Sequence, residues 1–151
     1  MNPSSPIPET QERRAAISRD ISVATGLDDI VLERLVRAFY EAAREDAMLG
    51  PLFVGVHDWE AHISKITTFW SSVALMTGRY HGQPLAAHVP LELQPQHFRR
   101  WLALFEQTAS GICSPAAVTY LMEKARRIAQ SLEFGSAVQR GELPSRARTA
   151  S

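Results

Sequence analysis

WEAHISKITTFW, residues 59–70, spaces Trp59, His62, Ile63, Ile66, Phe69 and Trp70 at intervals of three and four, and Val73 continues the stripe. This is the period of one face of an α-helix, not the alternation of a strand. Asp58 precedes the segment as an N-cap whose carboxylate suits the free N–H groups of a first turn, and Thr77-Gly78 follows it, so the spacing predicts a helix over residues 58–76. One imidazole, that of His62, falls in the middle of the apolar face.

Upstream, residues 29–47 place Leu32, Leu35, Val36, Phe39, Tyr40 and Ala43 on one helical face, and Gly50-Pro51 ends the run. Downstream, a helix over residues 95–111 stacks Phe98, Trp101, Leu102, Phe105 and Ala109, with Ile112 just beyond, opposite Arg99, Arg100 and Glu106; Pro95 suits its first turn. The last helix opens on Ser114 as N-cap with Pro115 at the first position and carries Val118, Leu121, Met122, Ala125, Ala129 and Leu132 before Gly135. No run alternates with period two over strand length and no internal repeat occurs, so the fold class is all-helical.

The connector over residues 78–90 is longer than two packed antiparallel helices need, and it holds Tyr80, Gly82, Pro84 and His88. A short turn of helix is expected at residues 84–88. Residues 1–27 carry Pro3, Pro6 and Pro8 among polar groups and read as a loosely attached, partly disordered extension, with a short helix near residues 11–25. Residues 136–151 combine Gly141, Pro144 and three arginines with few large apolar groups, and they read as a disordered tail. The one domain expected lies between, over residues 28–135.

Size and charge narrow the function. A chain of 151 residues, 45% hydrophobic, builds one core and not two. Sixteen basic residues balance sixteen acidic ones, which argues against nucleic acid and anionic membranes as partners. One cysteine, Cys113, forms neither an internal disulfide nor a thiolate cluster, and no apolar stretch near the start has the length of a secretory signal or a membrane span; a cytoplasmic protein is expected. The five histidines make no zinc-protease pair, and there is no phosphate-cradling glycine loop and no nucleophile elbow, so hydrolase and nucleotide-binding readings have no support.

Three polar groups remain on apolar faces: Tyr40, His62 and Trp101. An unsatisfied polar group costs roughly 1–3 kcal/mol when buried. Any one of them alone is more often a satisfied core residue than a functional one; the combination is harder to dismiss.

FYEAAREDAMLGPLF (39–53), WEAHISKITTFW (59–70), RYHGQPLAAH (79–88) and HFRRWLALF (97–105) occur in this order, and together they resemble the group III truncated haemoglobins over about residues 28–134. The resemblance implies a truncated globin, a two-over-two helical sandwich in which the segment before the proximal histidine is mostly loop. It implies haem b, with His88 as the iron ligand. It also implies a distal side made by Tyr40, His62 and Trp101, all able to donate hydrogen bonds to a diatomic ligand. His62 fits equally as a donor or as a gate that swings outwards.

By the same resemblance Phe53 wedges against the haem, Ile66, Phe69, Trp70, Met76, Phe98, Leu102 and Phe105 contribute apolar pocket, and Lys65, Arg79 and Tyr80 reach the propionates. Glycine pairs that mark other truncated-globin groups are missing, in keeping with the third group, whereas the N-terminal extension departs from the pattern. The function implied is tight binding of dioxygen or another diatomic gas, with peroxidase or nitric oxide dioxygenase chemistry open to it if an external reductase supplies electrons. A cofactor-free helical interaction module, with Trp59, Trp70 and Trp101 as packing groups only, is the competing reading; it predicts a colourless protein. The sequence sets no oligomeric state.

Overall fold

The computed structural model describes residues 6–82, 93–139 and 141, with side chains described from residue 11 to 138 inside those limits and at 141. His88, the turn expected at 84–88 and the tail beyond 141 lie outside the described residues. Five α-helices follow one another: α1 (Pro6–Thr25), α2 (Asp29–Glu45), α3 (Trp59–Leu75), α4 (Pro95–Ile112) and α5 (Pro115–Gln139), with a 3-10 turn at Gly50–Phe53. No strand occurs among the described residues.

Local chemistry sets the helix ends. Asp28 accepts from the Val31 N–H at 2.8 Å and Asp58 from the Ala61 N–H at 3.1 Å, each a side-chain N-cap. His97 Nδ1 accepts from the Gln94 N–H at 2.9 Å at the start of α4. Ser114 Oγ accepts from the Ala117 N–H at 3.1 Å and donates to the Thr25 carbonyl at 2.9 Å, so one hydroxyl starts α5 and holds the end of α1.

α2 packs on both α3 and α4, and α4 packs on α5, which gives two helical pairs crossed in a two-over-two sandwich. The core lies where α2 crosses the others. Leu27, Leu32, Leu35, Phe105 and Leu121 are fully buried there, and each such side chain contributes about 1.5–3 kcal/mol relative to exposure. α1 lies across the ends of α3 and α5, with Ile21 packed against the core and Ser18 Oγ donating to the Leu75 carbonyl.

Two expectations about extent change. α1 begins at Pro6, not near residue 11, because Pro6 and Pro8 fall in a first helical turn, where proline lacks only N–H groups that would be unpaired in any case. The last helix runs through Gly135 to Gln139, four residues into the stretch read as tail; Gly135 and Ser136 are buried, so the helix keeps a packed side past the glycine. No helix among the described residues is long and apolar enough to cross a membrane.

Candidate functional site

Where α2, the 3-10 turn and α3 meet, four rings close on one another. Tyr40 sits beside the core face of α2, one residue after the buried Phe39, and its ring lies 4.9 Å from His62, 5.5 Å from Phe53 and 5.9 Å from Trp59. The His62 and Phe53 contacts are edge-on, the geometry ring quadrupoles favour. Trp59 closes the group, 5.5 Å from His62 and 5.8 Å from Phe53, with the Arg44 guanidinium 4.3 Å above its ring. Burial pushes the Tyr40 phenol well above the ordinary tyrosine range, so this group stays a neutral donor.

Trp101 joins this group at one remove. Phe39 meets Tyr40 at 5.2 Å on one side and Trp101 at 6.2 Å on the other. The structure therefore brings Tyr40 and His62 into direct contact and sets Trp101 behind Phe39. On its far side Trp101 begins a parallel stack: Phe105 is 5.5 Å away at an interplanar angle of 13°, and Trp70 is 5.0 Å from Phe105 at 14°.

The other predicted residues divide by burial. Ile66 and Phe69 on α3, Trp101 and Leu102 on α4, and Phe53 in the turn are half-buried against the core. Trp70, Phe98 and Phe105 are buried. Tyr80 lies edge-on to Phe69 at 5.1 Å, and its N–H donates to Ser72 Oγ at 2.7 Å, which fixes the chain as it leaves α3.

Three predicted residues are exposed. Met76 is the left-handed C-cap of α3 (φ 60°) and is 45% exposed. Lys65 is exposed on α3. Arg79 is held by Asp29 at 3.0 Å and donates to Ser71 Oγ at 2.6 Å.

Sequence reasoning did not single out Trp59 as part of the ring group, nor Arg44 above it. The signal was available in part: Trp59 and His62 are three apart on one helix face, and Arg44 is one turn beyond Tyr40.

A flat apolar macrocycle held by one axial imidazole asks for large apolar side chains short of full burial, a few donors beside one face and basic groups at the rim. Half-buried Ile66, Phe69, Trp101 and Leu102, with Tyr40 and His62 adjoining and Lys65 exposed on the same helix, fit that requirement. No group of three or more His, Cys, Asp or Glu residues placed to hold a metal ion occurs among the described residues, and a single-imidazole site needs none.

Helices packed in two pairs around an aromatic group, with a phenol and an imidazole in contact, match the shortened, two-over-two globin that the sequence resemblance implies. The comparisons agree. The group 3 truncated hemoglobin ctb of Campylobacter jejuni is 35% identical over 108 residues, covering 68% of this chain and 85% of the relative. The crystal structure of a group III truncated hemoglobin from Campylobacter jejuni superposes with a TM-score of 0.65 at 34% identity, covering 71% of this chain and 89% of that one. No family model matches the chain. The chain belongs to the group 3 truncated haemoglobins.

Proposed function

We propose that this globin binds haem b between α3 and α4, with His88 as the iron ligand, and that it holds dioxygen or another diatomic gas tightly beside Tyr40 and His62. The observation that carries this reading is the edge-on contact of Tyr40 and His62 at 4.9 Å, two hydrogen-bond donors next to an otherwise apolar surface, with Trp101 one ring further on. The names of the two Campylobacter jejuni relatives, both hemoglobins, support haem as the cofactor.

Haem supplies the iron that takes the gas. The chain supplies everything that discriminates. Ile66, Phe69, Leu102 and Phe53 exclude water from the cofactor faces, and exclusion of water strengthens each polar contact made beside them. Tyr40 keeps its proton, because burial disfavours phenolate, and its O–H donates a hydrogen bond to the electron-rich end of the ligand. His62 donates from the adjoining turn of α3 or swings outwards as a gate, and Trp101 offers its indole N–H. A hydrogen bond to an acceptor that carries charge contributes about 1.5–3 kcal/mol, which slows ligand release.

Tight retention suits redox chemistry better than delivery. Peroxide reduction and nitric oxide dioxygenation use the same donors, and each draws electrons from an external donor, a reductase or a small reductant. The test is titration of the purified full-length protein with haem. A Soret band that saturates at one haem per chain is the expected result; a protein that stays colourless sinks the reading and leaves the helical interaction module in its place.

A further inference from the structure

The ring series does not stop at the gas site. From Trp101 it runs through the parallel stack to Phe105 and Trp70, from Trp70 edge-on to Phe69 at 5.8 Å, and from Phe69 to Tyr80 at 5.1 Å. Trp101 is half-buried on α4, Trp70 is buried, and Tyr80 is half-buried just past the end of α3. Indole and phenol are the side-chain rings that give up a single electron most readily, and a phenylalanine ring in contact with two of them couples one to the other.

Charge selects which of these rings are oxidised. The sequence has three tryptophans and three tyrosines. Arg44 lies 4.3 Å over Trp59, and Lys124 lies 5.2 Å over Tyr120. A cation attracted by a neutral ring repels the positive charge that oxidation would place there, so both rings resist losing an electron. Tyr40 touches the series only through Phe39, at 5.2 Å, and so stands at the gas end of the relay and not at its outer end. Among the described residues no cation is stacked on Trp101, Trp70 or Tyr80.

We propose that Trp101, Trp70 and Tyr80 form a one-electron relay from the gas side of the cleft to the surface, and that Tyr80 is where a small phenol or enediol reductant is oxidised. The relay rests on the haem reading above. Peroxide reduced in the cleft takes up two electrons and two protons and leaves as two waters. Each electron comes from Tyr80 along the relay while the phenol proton passes to water, which leaves a neutral tyrosyl radical. A phenolic reductant then returns one electron and one proton to Tyr80 and departs as its own phenoxyl radical. Two such turns consume one peroxide and two phenols and yield two waters and two phenoxyl radicals.

The test mixes the haem-loaded, full-length protein with hydrogen peroxide, freezes it within milliseconds and records the electron paramagnetic resonance spectrum, with guaiacol oxidation followed in parallel. The parent protein and Tyr120→Phe are expected to give a tyrosyl signal. Tyr80→Phe, which keeps the ring on Phe69, is expected to lose that signal and most guaiacol turnover. In Trp70→Phe a tryptophanyl signal from Trp101 is expected in its place. A tyrosyl signal of full intensity in Tyr80→Phe overturns the relay while the haem reading stands; absence of a Soret band before peroxide is added overturns both.

Discussion

Arg100 of α4 donates through Nε to Asp46 at 2.7 Å, and Asp46, which caps the end of α2, also accepts from the Met48 and Leu49 N–H groups at 3.1 and 3.0 Å. One carboxylate thus locks α2, the turn that follows it and the residue next to Trp101. The Asp46 side chain is 8% exposed and that of Arg100 is 41% exposed, so the pair is screened on one side only.

The Arg100 guanidinium, with the two backbone N–H groups, holds the Asp46 carboxyl below the usual carboxylate range. A depressed folded value means that its contribution is complete above the unfolded value and disappears as pH falls through the folded one. Asp46→Asn should lower unfolding free energy by about 1–2 kcal/mol at pH 7, because the amide keeps the turn and loses the charged bond. In urea titrations the gap between variant and parent should narrow at pH 3. A gap of equal size at both pH values contradicts this assignment.

How far the sequence was legible follows from the same residues. Asp58, Ser114 and Pro115 announced their helix starts because capping is local chemistry. The apolar stripes of α2, α3 and α4 were readable because burial follows the helical period. Pro6, Pro8 and Gly135 misled as to extent, since their meaning depends on where in a helix they fall. Within the site, the residue types on the apolar faces were visible, but not that Tyr40 and His62 touch while Trp101 stands behind Phe39. That difference arises from helix crossing, which no single segment encodes.

Phe105 lies between Trp101 and Trp70 and is 2% exposed. Phe105→Ala should open a cavity between two indoles and cost about 3–5 kcal/mol in chemical denaturation. A loss below about 1 kcal/mol would mean that the two indoles collapse onto each other and fill the space, so that no cavity is left behind.

Met76 holds a left-handed backbone conformation at an exposed helix end, a position that glycine occupies without strain. Met76→Gly should raise stability by about 1 kcal/mol, read as an upward shift of the thermal midpoint. A lowered midpoint together with faster haem loss would instead make the Met76 side chain a cofactor contact.

Tyr40→Phe and His62→Leu should each accelerate dioxygen release about tenfold in stopped-flow measurements, the equivalent of one lost hydrogen bond of roughly 1.4 kcal/mol. Because burial raises the Tyr40 phenol above its ordinary range, release from the parent protein should stay flat through the pH interval where free tyrosine ionises. An inflection within that interval, absent from Tyr40→Phe, would place the phenol in contact with water.

The most direct test is resonance Raman spectroscopy of the ferrous, gas-free protein in the iron–imidazole stretching region. An axial bond from residue 88 predicts a band in the parent, its loss in His88→Gly and its return when free imidazole is added to the variant. A parent-like band in His88→Gly without added imidazole would assign the axial bond to a different histidine and contradict the account.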